Sequence, residues 1–541
     1  MSDPARRLDV ALATALSVFT VLSRLPYRAS LLYDWDAVQF ALALREFDVA
    51  KHQPHPPGYI LYVGLGRLVN AGVGDPAATY VLLSVLFSGL TTFVVYQLAR
   101  AIYDRPTALA AASLLAVSPL FWFYGTVGLS YAGEALGASV VAYFAFRALR
   151  GSETDAWLAA LYLGLAGGLR QSMLVLLFPL WLGSAAIGVR RARTVAIGLA
   201  VMALATLTWL IPLVWLTGGL QRYLAPTIDL ALFALGPTAL GTGSLLALFA
   251  MQRHLVESIL VALGPLALAV LLLPWFIRRD RWGQREWFLL AWAAGPLLFY
   301  GLVHFGQAGY ALTFLPAVVI LLSRVLVAAL SGPELARWPR ARAVAAATAV
   351  IAVILVNGSF FVSARPLPRS FDPARPAWMR TAEDEAADWI FSRTVAALRE
   401  REAIVRTYVD AIRSSWAPAE TVVITEMGNP RSYGWLRHAT YYLEGYPVYA
   451  LWVGSTEPDT LLPPGGGAMW FLPGTEITLP PGTKRLVWFV DYWSPTAQRP
   501  PGLEEIELPF GRYLYVLPVT REPIAYAGYI FRPEKTGSAR R

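Results

Sequence analysis

Between its first apolar segment and the next, the chain reads Tyr33-Asp34-Trp35-Asp36-Ala37-Val38-Gln39-Phe40, then His52-Gln53-Pro54-His55-Pro56-Pro57-Gly58-Tyr59. Carboxylates and imidazoles at this spacing can accept or donate protons near neutral pH. Asp34 and Asp36 can equally bind a divalent cation through oxygen, or cap the helix that follows them. His52 and His55 can ligate a metal, contact an anionic substrate or sit at a membrane interface. Two histidines without a further clear ligand make a weak metal pattern, so the metal is left unknown and a divalent cation stays open. Pro54, Pro56 and Pro57 restrict the backbone between the histidines and Tyr59, which suits pre-positioned side chains and also suits a plain turn.

Four further places carry polar groups at the margins of apolar sequence. Glu134 opens an apolar helix, either as an N-terminal cap or facing a cavity shared with Asp36. Arg170 and Gln171 interrupt two apolar segments, and an arginine at that depth needs an anion. A lipid phosphate is the favoured partner and an internal carboxylate the other. Arg222, with Arg253, lies in the polar stretch 217–255, either against a lipid-linked phosphate or as a snorkelling surface charge. His304, Gln307 and Tyr310 flank a glycine turn and read as substrate contacts or as an interfacial belt.

The elements that must position these groups follow from composition. Of 541 residues, 56% are hydrophobic and 15% charged, well below the roughly 25% charged of soluble domains. Mean hydropathy is +0.49. Apolar runs of about 20 residues recur, which predicts a polytopic α-helical membrane protein. Segments 8–26, 78–99, 107–125, 131–149, 155–169, 172–189, 194–216, 256–277, 286–303, 308–329 and 341–362 read as spans. The segment after Arg6-Arg7 lacks a small-residue cleavage site and reads as a retained first helix. Cysteine is absent, which excludes disulfides, thiolate metal sites and a cysteine nucleophile. The net charge of +9 resides mainly in short loops between spans, so it reads as a topology signal, and no nucleic-acid partner is expected.

The basic clusters at Arg6/Arg7, Arg100/Arg105, Arg147/Arg150, Arg190/Arg191/Arg193, Arg278/Arg279/Arg281 and Arg337/Arg340/Arg342 all fall inside only if 56–72 does not span. The expectation is therefore about eleven spans, with 37–50 and 56–72 lying along the membrane surface. The first of these reads as amphipathic, with Phe40, Leu44 and Phe47 as its stripe and Gln39 largely off it. That parity sends the loop 27–55, the Arg170 turn, the stretch 217–255, His304 and everything after about 363 to one outer face.

Domain organisation follows: a transmembrane domain over 1–362 with a first outer loop at 27–72, a Pro-rich linker over 363–379, a soluble domain over 380–533 and a disordered tail over 534–541. In the soluble part, 380–412 reads as helix, and Thr421–Thr425, Ala468–Leu472, Arg485–Val490 and Tyr513–Val519 as strands. A small α/β or α+β extracytoplasmic domain is expected.

Asp36 with Phe40 four residues on, His55-Pro56-Pro57-Gly58-Tyr59, Ser118-Pro119-Leu120-Phe121-Trp122 leading to Glu134, and Gly168-Leu169-Arg170-Gln171 together resemble the GT-C superfamily of membrane glycosyltransferases. The similarity is greatest to the protein O-mannosyltransferase-like branch, family 39 and the related lipid-A aminoarabinose transferases. It covers roughly 8–330, and the His-Pro-Pro-Gly segment is its most specific part. The resemblance implies an all-α polytopic GT-C-like membrane domain that moves one sugar, with inversion, from a polyprenyl-phosphate carrier to a lipid, glycan or protein acceptor on the outer face of a bacterial-type inner membrane. It implies a first-loop acidic residue at the reaction centre, which Asp36 matches best. The usual Asp-Glu pair is here Asp36-Ala37, leaving open whether Asp34 supplies the second carboxylate. Arg170, with His55 or Arg222, would stabilise the departing phosphate. Two other readings remain: a transporter or flippase of lipid-linked sugar, and a non-catalytic assembly subunit. No internal repeat of the transporter kind is present in the sequence.

Overall fold

In the computed structural model, residues 3–236, 238–280, 282–330, 339–365, 390–427, 436–452, 476–490 and 499–534 are described. The helices in chain order are α1 (Asp3–Arg24), α2 (Trp35–Arg45), α3 (Ile60–Val73), α4 (Pro76–Ile102), α5 (Arg105–Ala116), α6 (Pro119–Tyr124), α7 (Tyr131–Leu149), α8 (Glu153–Leu169), α9 (Ser172–Gly188) and α10 (Ala192–Leu216). Then come α11 (Leu220–Leu235), α12 (Ala239–Thr242), α13 (Leu245–Leu263), α14 (Leu273–Asp280), α15 (Gln284–Leu302), α16 (Leu315–Ala329), α17 (Pro339–Ser363), α18 (Val395–Ser415) and α19 (Leu436–Tyr442). Contacts gather the chain into two compact units. The first holds Met1–Ala29, Tyr59–Leu213 and Ala234–Leu398; the second holds Ser30–Gly58, Val214–Phe233 and Arg399–Arg541.

The first unit is helical. Among the described residues, five helices are long and apolar enough to cross a membrane: Pro4–Tyr27, Pro76–Ile102, Ala192–Leu216, Leu245–Arg279 and Val344–Ser363. Shorter apolar helices run over Ile60–Val73, Ser172–Gly188 and Leu315–Ala329. Glycines set the close crossings. A Cβ at Gly89 of α4 would meet Val21 of α1 at 2.6 Å, and one at Gly295 of α15 would meet the Leu176 carbonyl of α9 at 2.6 Å. Small residues at such crossings let apolar helices approach without a hydrophobic driving force.

Prolines interrupt the regular α-helix within two of the expected spans. The run 107–125 is two helices, because Pro119 forces Ser118 to an extended ψ of 122° and starts α6 afresh. The run 256–277 passes through a 3₁₀ stretch, Gly264–Leu272, where Gly264 takes φ 54° ahead of Pro265. The stretch 217–255, expected as an outer loop with an amphipathic part, is largely helical, through α11, α12 and the start of α13.

The second unit is built on a five-stranded sheet ordered β2-β1-β4-β6-β5, from Val448–Trp452, Thr421–Met427, Arg485–Trp488, Arg512–Pro518 and Glu504–Leu508. β1 runs parallel to β2 and β4, with Val423 opposite Val448 and Val487; β6 is antiparallel to both β4 and β5. Side chains alternate across the sheet. Val423, Val487 and Val516 face Ile404, Tyr408 and Ile412 of α18, whereas Val422, Ile424 and Trp488 face a core shared with Ile477, Tyr526 and Phe531. Those last three come from a small sheet, β3-β8-β7, over Glu476–Thr478, Tyr529–Arg532 and Ile524–Tyr526.

Three expected strands are present, whereas Ala468–Leu472 lies outside the described residues, as do 366–389 of the linker and helix and the tail from 535. The expected surface helix over 37–50 differs from what forms. α2 stops at Arg45, so Phe47 is not on it, and Ala37, Val38, Gln39, Phe40, Ala41 and Ala43, spread all round the helix, are buried. α2 packs on α19. Gln39, read as largely off the apolar stripe, is fully buried.

Candidate functional site

The second unit holds Asp34, Asp36, His52, His55 and Arg222. Asp34 is the N-cap of α2: its backbone is extended, and its side chain accepts a 3.2 Å hydrogen bond from the Ala37 N–H. That places Asp36 in the first helical turn, where the helix dipole favours a carboxylate. The chain leaves α2 through a short hairpin-like closure in which the Asp48 and Gln53 backbones exchange hydrogen bonds of 2.7 and 3.0 Å. His52 closes it at φ 52°, a left-handed conformation uncommon for a residue with a Cβ. This return brings His55 back to α2. Its Nδ1 lies 3.6 Å from Asp36 Oδ1, and its ring is 5.4 Å from that of Phe40.

Electrostatics separates the two aspartates. Burial, and then the Asp36 carboxylate, push Asp34 up to about 6, against the opposing pull of Arg401, the Ala37 N–H and His55. His52 is held well below its ordinary value, first by burial and then by Arg437 and His55. Arg222 pairs with Asp48 at 2.5 Å. The capping and chemical readings of the aspartates are thus divided: Asp34 caps, while Asp36 meets an imidazole.

The first unit holds the other predicted residues. Glu134 and Arg170 form a buried ion pair at 2.7 Å, and Ser130 Oγ donates to the same carboxylate oxygen at 3.0 Å. Arg170 thus meets the internal carboxylate, the alternative to the favoured lipid phosphate, because α7 and α8 bring Glu134 within reach of the turn. Three tyrosine rings surround the guanidinium, Tyr310 at 4.5 Å, Tyr131 at 5.2 Å and Tyr59 at 5.9 Å. His304 lies against Tyr310, their rings 6.0 Å apart. Gln171 precedes α9, and Gln307 opens the 3₁₀ turn Ala308–Thr313 that carries Tyr310.

Sequence reasoning missed Tyr131 and Arg401. Tyr131 precedes Glu134 by three residues, a spacing that puts both on one helix face, so the signal existed. Nothing near Asp34 in sequence points to Arg401. Among the described residues, no three His, Asp or Glu side chains gather as metal ligands.

Residues 55–215 match the family model for dolichyl-phosphate-mannose-protein mannosyltransferases. The fold is similar to that of ArnT from Cupriavidus metallidurans bound to undecaprenyl phosphate, at 14% identity and a TM-score of 0.55, over 96% of this chain and 98% of that one. The apo form of the same protein gives 14% identity and a TM-score of 0.56, over 95% and 98%. No curated protein matches the chain in sequence. The resemblance carried by the motifs is therefore met by a matched mannosyltransferase-like segment that begins at His55 and, for the fold alone, by a likeness to ArnT over nearly the whole chain.

Proposed function

We propose that this GT-C-like membrane protein transfers one sugar from a polyprenyl phosphate to an acceptor hydroxyl, with inversion at the anomeric carbon and Asp36 as the base. The observation that carries this reading is the pairing of Asp36, on the first turn of α2, with His55 of the following loop, 3.6 Å apart. Asp36 would take the proton of the acceptor hydroxyl as its oxygen bonds to the anomeric carbon. The bond from that carbon to the phosphate oxygen breaks on the opposite face, and the electron pair leaves with the polyprenyl phosphate. One base suffices for such a displacement, whereas a double displacement needs two close carboxylates flanking the sugar. Asp34, next to it and readily protonated, would tune Asp36 rather than replace it.

Phosphate is a good leaving group once its charge is met by cations. In the second unit, Arg222 is paired with Asp48, and His55, 3.6 Å from Asp36, is proposed to orient that base. In the first unit, Arg170 spends one N–H on Glu134, and its other N–H groups are proposed to meet a phosphate. The membrane arrangement proposed is that of about eleven spans, in a bacterial-type inner membrane with the C-terminal domain outside. No metal is assigned. The ArnT match in its undecaprenyl-phosphate-bound form supports a lipid-linked donor.

Asp36→Asn is expected to abolish sugar transfer while expression and lipid binding persist. Normal transfer by that variant would overturn the assignment. A flippase would instead move intact lipid-linked sugar across a vesicle membrane without consuming it.

A further inference from the structure

The backbone of Ser30, Leu31, Leu32 and Tyr33 belongs to no helix or strand, yet its polar groups are taken one after another by side chains of α18 and α19. The Ser30 and Leu31 N–H groups both donate to Glu402 Oε1, the second at 3.1 Å. The Leu32 N–H donates to the Tyr442 hydroxyl at 2.8 Å, and the Leu32 carbonyl lies 2.9 Å from His438 Nε2. The Tyr33 carbonyl accepts from Arg401 Nε at 2.6 Å. Glu402 is itself held by Arg399 at 2.7 Å. A loop ordinarily gives such groups to water. Here five backbone groups of four successive residues are met by side chains, immediately before Asp34, and Arg406 and Arg401 add contacts to the Ser30 hydroxyl and the Tyr33 ring.

The other end of the same loop is held by the same helix. Arg437 Nη2 donates to the Lys51 carbonyl at 3.2 Å, and burial pushes this guanidinium down to about 10, so its burial is costly. Arg437 and His438 are neighbours on α19, yet one holds Lys51 and the other Leu32. Asp36 follows the first anchor and His55 follows the second. The stretch that carries Asp36 and His55, 3.6 Å apart, is thus reached at both ends by one helix turn. Packing between a loop and a domain would need apolar contact alone, as Leu31 makes with the α18 core; it would not need a buried arginine, a buried histidine and a buried glutamate spent on main-chain atoms.

We infer that the C-terminal domain is the positioning element of the reaction loop: Arg437 and His438 of α19, with Arg401 and Glu402 of α18, set the distance and orientation of Asp36 relative to His55. This inference rests on the proposed role of Asp36. The four residues are assigned no substrate contact and act only through the loop.

The test pairs turnover with hydrogen–deuterium exchange on the full-length protein in detergent or nanodiscs. His438→Leu and Arg437→Met are each expected to lower kcat by about 10- to 100-fold, the cost of a displacement near 1 Å. Donor KM should hold, and exchange at the Ser30–Leu32 amides should quicken. His438→Gln and Arg437→Lys, which keep an N–H donor, should recover most of kcat. Peptides from β1 and β6 report on folding. If either loss variant opens them, Tyr442→Phe, which removes only the hydroxyl facing the Leu32 N–H, decides in its place. Wild-type kcat in the loss variants, or lost kcat with unchanged exchange at Ser30–Leu32, overturns the inference. Asp36→Asn run alongside separates the two claims: if it transfers sugar normally, the base assignment falls, whereas an inactive Asp36→Asn beside fully active loss variants sinks the positioning role alone.

Discussion

Asp34 and Asp36, two residues apart, differ because only Asp34 caps a helix. Asp34 gives its side chain to the Ala37 N–H, and it is raised to about 6 by burial and by Asp36. A raised carboxyl is protonated in the fold where the unfolded chain has already ionised. Its contribution to stability is therefore present below the ordinary value of 3.8 and is lost as pH rises through about 6. Activity runs the opposite way. Ionisation of Asp34 places a second negative charge beside Asp36 and strengthens it as a base. The rate of transfer should climb through pH 6, the pair titrating together. In Asp34→Asn that climb should disappear while reduced activity remains, and a pH profile of kcat/KM reads both. A profile of Asp34→Asn that still rises through pH 6 would contradict this assignment.

A second residue-scale prediction concerns the Glu134–Arg170 pair in the first unit. Removing one partner of a buried ion pair leaves the other uncompensated, at a cost of about 3–5 kcal/mol. Glu134→Gln is expected to lower the thermal midpoint sharply in detergent. An unchanged midpoint would mean the pair carries no structural load. Arg170→Ala should weaken donor binding more than Arg170→Lys, measured by titration with a polyprenyl phosphate; equal, wild-type affinity in both would remove the phosphate role.

At the scale of elements, the same residue type has opposite value at two places on α9. A Cβ at Gly188 would meet the Ala148 carbonyl at 2.2 Å and Leu149 Cα at 2.5 Å, both backbone, whereas one at Gly183 meets nothing within 4 Å. Gly188→Ala should destabilise by about 1–3 kcal/mol through forced backbone shifts. Gly183→Ala should stabilise by about 0.5–1 kcal/mol through helix propensity alone. Thermal unfolding of the two variants checks the pair, and equal shifts would contradict the close approach of α9 to the end of α7. Elements were legible where one local signal decided them. Three of the four C-terminal strand runs and the apolar helices followed from period and length. The breaks at Ser118 and Gly264 were also written in the sequence, as prolines at 119 and 265, but apolar length masked them. The nature of α2 was not legible, since an amphipathic stripe looks the same whether a membrane or α19 covers it.

At the scale of the whole molecule, what the sequence could not carry is long-range. The loop proposed to carry the reaction reads as a self-contained motif, yet its backbone is held by Arg401, Glu402, Arg437 and His438, from the far end of the chain. No spacing rule connects residue 33 with residue 401, because the fold and not the sequence brings them together. Glu134 and Arg170 were both picked out by the cost of charge at the edge of an apolar helix; their pairing needed the α7–α8 packing. The proposed topology adds one prediction here. Alkaline phosphatase fused after residue 534 should be active and green fluorescent protein at the same point dark, and the reverse pattern would place the C-terminal domain inside.

The most direct measurement is donor consumption. Purified protein in liposomes is incubated with an acceptor extract and a panel of polyprenyl-phosphate sugars, and loss of donor is followed beside the Asp36→Asn variant. One donor should be consumed by the wild type, with an inverted anomeric centre in the product, and none by the variant. Equal donor loss by both proteins, or movement of intact donor across the bilayer without loss, would contradict the assignment of Asp36 as the base of a sugar transfer.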